Sequence, residues 1–235
     1  MSNNVGLKNQ LTREIWLEGV LKKIPPGSRI LDAGAGEQQY REFCSHLNYV
    51  SQDFAQYDGI GDGKALQTKE WNTSNINIIS DITQIPEHDA SFDAIMCTEV
   101  FEHIPEPIMA IKEFYRLLKP NGHLILTAPF CSLTHMAPYH YYSGYNRYFY
   151  DFHLQHYGFK IIELKENGNY FEFLAQELRR LPDVKKDYVK NRTKFGFFDR
   201  IALFQLLKTL ERSSKYDQGS QNLLNFGFHV HALKT

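Results

Sequence analysis

The sequence predicts an α/β fold in which an open, mainly parallel sheet is flanked by helices. Two features of the 235 residues predict it. Short apolar runs without polar alternation recur along the chain, as strands covered on both faces require, and segments of helical period stand between them. The stretch Ser28 to Gly36, SRILDAGAG, adds a third: a strand-like run breaks into a glycine-rich turn that is expected to open a helix.

Taken in order, residues 8–23 carry Leu11, Ile15, Trp16, Val20 and Leu21 at helical spacing, and Pro25, Pro26 and Gly27 stop them. Strands are expected at 29–33, 48–53, 76–80, 93–98, 123–128, 159–164 and 226–233. The clearest intervening helix is 106–118, where Ile108, Ile111, Phe114 or Tyr115, and Leu118 share a face before the stop at Lys119 to Gly122. Residues 55–75, with YDGIGDGK and few apolar positions, read as an irregular excursion. Residues 170–215 read as a helical insertion of two helices joined by a charged loop. In its second helix Phe197, Phe198, Ile201, Phe204 and Leu207 are expected to pack as core or lid; exposed, they would form a homodimer or membrane-surface face. One domain is expected over 1–235, with a core of about 25–165 plus 223–235.

Composition narrows the function classes. A chain that is 43% hydrophobic and 14% aromatic can bury a full core. Its formal net charge of -1 supplies no basic footprint for a phosphate backbone, so no nucleic-acid partner is expected and small, weakly charged substrates fit better. Three widely spaced cysteines, Cys44, Cys97 and Cys131, match neither a disulfide framework nor a zinc site, and point to a reducing cytoplasmic compartment. The N-terminus has no apolar signal region, and no run reaches the roughly 18 apolar residues of a transmembrane segment.

A strand, a glycine turn and a helix serve two cofactor classes, dinucleotides and S-adenosylmethionine. Asp53, 17 residues after Gly36 at the end of the second strand, can accept the ribose hydroxyls of either. The segments ISDITQIPEHDASFDAIMCTEVFEHIPEP (79–107) and RLLKPNGHLILTAPF (116–130) separate the two. Together they resemble the class I S-adenosylmethionine-dependent methyltransferases, most closely the broad group of ubiquinone-pathway and small-molecule or glycan enzymes. In that family an acid follows the third strand, an E-V-x-E-H-x-x-x-P segment the fourth, and L-K-P-x-G leads into the fifth. The resemblance covers about 28–165, and FGFHVHALK looks like the family's closing antiparallel strand. It therefore implies a Rossmann-like, seven-stranded, mostly parallel sheet whose last strand is antiparallel, with helices on both faces and the helical insertion before that strand.

Carried over residue by residue, the resemblance implies that Gly34 and Gly36 admit the methionine part of the cofactor and that Asp32 orients its ammonium. Asp53, with Phe54 beside it, would take the ribose, Asp81 the adenine amino group, Ile82 a face of the adenine, and Thr98 with Glu99 the methionine side. The family often has a third glycine where this chain has Gln38, so Gln38 or Tyr40 is expected to cover the cofactor. His103 either orients substrate or accepts a proton at the cleft mouth, or it caps the next helix or bonds a neighbouring loop.

The stretch 129–150, PFCSLTHMAPYHYYSGYNRYFY, lies where this fold recognises acceptors and resembles a segment of bacterial methyltransferases of polysaccharide gene regions. Its phenol rings suit polyhydroxylated ligands, and His135, His140, Tyr142 and Arg147 are the acceptor-side candidates. No carboxylate accompanies His135 and His140 at ligand spacing, so no metal site is expected. The resulting expectation is methyl transfer to a sugar or glycan-precursor hydroxyl, with His135 or His140 as base. The alternatives are N- or C-methylation of another small metabolite such as a quinone-like ring, a non-catalytic cofactor-binding partner subunit and, more distantly, a nicotinamide dehydrogenase.

Overall fold

A computed structural model describes residues 4–190 and 195–235; the middle of the expected charged loop, 191–194, lies outside the described residues. The chain divides into two compact units, one of residues up to Glu14 with Glu166–Phe226, the other of Ile15–Lys165 with Gly227–Thr235.

The larger unit is built on a seven-stranded sheet: β1 (Arg29–Ala33), β2 (Asn48–Asp53), β3 (Ile78–Ile79), β4 (Phe92–Thr98), β5 (Leu118–Pro129), β6 (Phe159–Asn167) and β7 (Gly227–Lys234), in the order β3-β2-β1-β4-β5-β7-β6. Pairs from β3 through β5 are parallel, and β7 runs antiparallel to β5. Alternation along each strand sends neighbours to opposite faces. Leu31, Ile95, Cys97, Leu124 and Leu126 enter one apolar cluster, with Ala110, Ile111, Phe114 and Leu117 of α2 (Pro107–Leu117) and Tyr150 and Leu154 of α3 (Arg147–His156). Ile30, Ala94, Met96 and Ile125 enter the other, with Trp16, Leu17, Val20 and Leu21 of α1 (Asn9–Leu21). Burial on both faces is why these strands show no polar alternation in the sequence.

The seven expected strands are all present, β1 and β2 with the expected ends and the other five with shifted ends. Leu118 joins the sheet directly after α2 by pairing with Phe92, ahead of a register shift between Phe92 and Ala94, so β5 begins earlier than the stop signal implies. The helix expected after the glycine turn is a correction: only a 3-10 turn, Arg41–Cys44, follows. Gly36 (φ 50°) and Gln38 (φ 60°) are left-handed, a conformation no right-handed helix accommodates.

The smaller unit contains α4 (Tyr170–Tyr188), capped by the Asn169 side chain, and α5 (Phe197–Lys215). Val5, Ala175, Leu207 and Leu210 form its core. Of the five apolar side chains expected to pack in α5, only Leu207 does; Phe197 and Phe198 are 73% and 83% exposed, and Ile201 and Phe204 are also exposed. Among the described residues, no helix is long and apolar enough to cross a membrane.

Candidate active site

The parallel register brings the carboxyl ends of β1, β2, β3 and β4 side by side, where ligands of open α/β sheets bind. At the end of β1 the turn has no room for a side chain at its two glycines. A Cβ on Gly34 (φ 76°) would meet Val100 at 2.5 Å, and one on Gly36 would meet the Trp71 indole at 2.5 Å. Asp53, buried at the end of β2, accepts the Gly36 amide at 2.9 Å through one oxygen and the Ala55 amide at 2.8 Å through the other. Asp81, exposed just past β3, accepts both the amide and the hydroxyl of Thr83 at 2.7 Å, and Ile82 beside it is buried. At the end of β4 the Thr98 hydroxyl is buried with no hydrogen-bond partner among the described residues, and Glu99 (φ 55°) accepts the Thr127 hydroxyl at 2.9 Å. Asp32 is buried within β1 and takes a hydrogen bond from the Tyr49 hydroxyl at 2.5 Å. Burial pushes its carboxyl up to about 7; the Tyr49 bond opposes this and the Asp53 charge adds to it.

The irregular excursion is anchored on this turn. Trp71 sits over Gly36, Glu37 accepts the Asn72 amide, and the Gln38 amide donates to the Asn75 carbonyl. Gln38 therefore ties the excursion down, and Tyr40 is buried in the core beneath, a correction to its expected place over the cofactor. The far side of the excursion joins the aromatic loop after β5, with Leu66 bridging His135 and Asp62 donating to the Ala137 carbonyl. Phe54 packs edge-on against Tyr139 of that loop, ring centres 4.9 Å apart.

The Tyr139 carbonyl in turn accepts from His103 Nδ1 and leads into a cluster of three histidines and a carboxylate. Glu102 and His103 sit in the 3-10 turn Phe101–His103 directly after β4, and the Glu102 side chain is only 2% exposed. Its backbone carbonyl accepts the amides of Tyr141 and Tyr142, fixing the loop over it. His103 Nε2 lies 3.8 Å and His135 Nε2 3.9 Å from Glu102 Oε1. The His135 ring centre is 4.6 Å from that of His103 and 4.9 Å from that of His140. His140 Nε2 meets the Ser132 hydroxyl at 3.1 Å. Burial and the neighbouring His135 push His103 down to about 4 against the Tyr139 bond, and the same two causes lower His140.

The structure thus brings together His103, His135 and His140. Tyr142 instead donates its hydroxyl to the Pro105 carbonyl, and Arg147 opens α3 with an ion pair to Asp151 at 3.6 Å. Sequence reasoning missed Glu102 as a site residue. Its only signal was a charged residue beside His103 immediately after a buried strand, a place where a carboxylate needs partners.

A family model for a methyltransferase domain matches residues 9–181. The chain belongs to this family of class I methyltransferases. A curated relative, the ubiquinone biosynthesis O-methyltransferase of Xanthomonas campestris pv. campestris (strain B100), is 30% identical over 105 residues, covering 43% of each chain. The chain therefore spans less than half the length of that relative. Among solved structures, an S-adenosylmethionine-dependent methyltransferase from Archaeoglobus fulgidus has a TM-score of 0.56 at 16% identity, covering 96% of this chain and 94% of that one. The Haemonchus contortus phosphoethanolamine N-methyltransferase 2 with S-adenosylmethionine bound has a TM-score of 0.51 at 17% identity, covering 95% and 52%. Both are similar to this chain in fold.

The family's donor is S-adenosylmethionine, and the residues present fit it. Acids follow two neighbouring strands beside the glycine turn that Val100 and Trp71 close over, and the buried Thr98 hydroxyl lacks a partner among the described residues.

Proposed function

We propose that this chain methylates a hydroxyl of a small polar molecule, holding S-adenosylmethionine over the Gly34–Gly36 turn and the acceptor beneath the aromatic loop. The observation that carries it is the His103, His135, His140 and Glu102 cluster, joined through Tyr139 to Phe54 at the ribose-side strand end. When bound, the cofactor supplies an electrophilic methyl group whose transfer to oxygen leaves a neutral thioether and one proton to remove. Asp53 would hold the ribose, Asp81 the adenine side, and Asp32, Thr98 and Glu99 the methionine side.

The chain's remaining task is the proton. Nδ1 of His135 donates to the Leu133 carbonyl at 2.8 Å, which leaves the Nε2 lone pair facing the cluster. A proton taken there forms an imidazolium whose Nε2 is 3.9 Å from Oε1 of Glu102. Tyr139 and the loop's other phenol rings offer flat area with polar tips to a ring-shaped acceptor. The name of the curated relative, a ubiquinone biosynthesis O-methyltransferase, favours transfer to oxygen. The expected sugar acceptor draws no support from the relatives.

Two measurements test the reading. Asp53→Ala is expected to abolish stabilisation by S-adenosylmethionine in a thermal shift, and unchanged cofactor affinity would remove the ribose from this place. In a methyl-transfer screen over phenols, quinols and nucleotide sugars, His135→Ala is expected to cut kcat by about 10²- to 10⁴-fold with cofactor affinity kept. A few-fold effect would rule His135 out as the group that handles the proton.

A further inference from the structure

We infer that Glu102, His103 and His135 form a binding site for one divalent transition-metal ion of the zinc type. One ligand atom from each lies within 4.8 Å of the others. In a tetrahedral zinc site with bonds of about 2.1 Å, ligand atoms stand about 3.4 Å apart. The two Nε2–Oε1 separations of 3.8 and 3.9 Å therefore need only about half an ångström of closure.

The second observation is how the imidazoles are held. A ligating histidine donates its other ring N–H to a fixed acceptor, which sets the tautomer and aims the lone pair. Both rings do this here: His103 Nδ1 bonds the Tyr139 carbonyl and His135 Nδ1 the Leu133 carbonyl, and both Nε2 atoms face the same carboxylate oxygen. A carbonyl only accepts, so each Nδ1 carries a hydrogen, and in the neutral ring the lone pair is on Nε2. Glu102 is held in turn by the amides of Tyr141 and Tyr142 on its own carbonyl. Two imidazoles and one carboxylate suit zinc or a similar first-row ion better than magnesium, which prefers oxygen donors and keeps its waters. Three protein ligands leave a position open, as catalytic sites of this type do.

The expectation of no metal site rested on the lack of a carboxylate near His135 and His140 in the sequence. The fold supplies one from a different segment. Use of the ion in catalysis rests on the hydroxyl transfer proposed above: bound to the ion, an acceptor hydroxyl loses its proton more readily. His135 would then serve as a ligand, and the proton would pass to His140 or to water. Binding of the ion does not depend on that reading.

The test is calorimetric titration of the chelator-treated full chain with zinc chloride, with magnesium chloride for comparison and cobalt chloride as an optical probe. We expect one zinc per chain, visible ligand-field bands with cobalt, and no comparable magnesium binding. Glu102→Gln and His135→Ala should each weaken zinc binding at least tenfold. His135 is on a partly exposed loop, so its variant remains informative if the buried Glu102 variant fails to fold. Absence of stoichiometric zinc, or wild-type affinity in His135→Ala, overturns the site. A chelated chain that takes no zinc yet still transfers methyl groups overturns the ion and leaves the methyltransferase reading standing. Zinc binding by a chain that methylates nothing upholds the site and removes the proposed reaction.

Discussion

Asp32 carries a carboxyl near pKa 7 because the strand that positions it also buries it. The direction of its effect on stability follows from the raised value. The folded chain keeps the proton up to about pH 7 while the unfolded chain gives it up near 3.8, so stability falls as pH rises through that window and the loss is complete above it. The shift corresponds to an upper figure of about 4 kcal/mol. Asp32→Asn removes the effect, so urea denaturation should show the variant gaining on the wild type by up to that amount between about pH 4 and about pH 8. A difference that stays flat with pH would show that Asp32 is ionised in the fold. Gly34 is constrained differently: its φ is 76°, and a Cβ at this position would lie 2.5 Å from a Val100 methyl, which leaves no room for a side chain. Gly34→Ala should cost about 1–3 kcal/mol in the same measurement. The glycine requirement was legible from the SRILDAGAG spacing. The pKa of Asp32 was not, since it depends on burial within the folded sheet and then on Tyr49 and Asp53 from the neighbouring strand.

At the scale of elements, the turn after β1 and the pair β5–β7 differ most in how far the sequence reached. The strand before the turn was legible from its apolar run, but the helix after it gives way to a 3-10 turn because Gln38 adopts a left-handed conformation. The cost is met by contacts from a segment more than thirty residues away, where Asn75 receives the Gln38 amide. On β5 and β7, His123 Nδ1 lies 2.9 Å from His231 Nε2 and the rings stack. Burial lowers both pKa values, that of His231 to about 4 with His123 as the next cause. For a lowered histidine the stability is present above the unfolded pKa of 6.5 and is lost as pH falls toward 4. His231→Phe should flatten this acid limb by about 1–2 kcal/mol, a figure reduced for solvent screening. Denaturation at several pH values below 6.5 checks it, and an unchanged slope would show that the pair does not govern acid stability.

At the scale of the whole molecule, cofactor binding is expected to stabilise the larger unit by about 2.7 kcal/mol at a hundredfold excess over Kd. Hydrogen exchange should slow at Gly34–Gly36, at Asp53–Ala55 and at Thr98–Glu99, and stay unchanged across 170–215. Slowing confined to the helices of the smaller unit would place the cofactor elsewhere. The sequence by itself determined the strand set, the turn and the acids that follow β2 and β3, because these are local: apolar runs, a glycine pair and an acid at a strand end carry their meaning within a few residues. It also carried the family, through ordered motifs over 79–130. Only the tertiary structure decided which groups meet. Glu102 and His135 are 33 positions apart, and the excursion that covers the turn is bridged to the loop bearing His135. Such convergence is set by register and packing across the sheet, to which no local pattern of residue types responds.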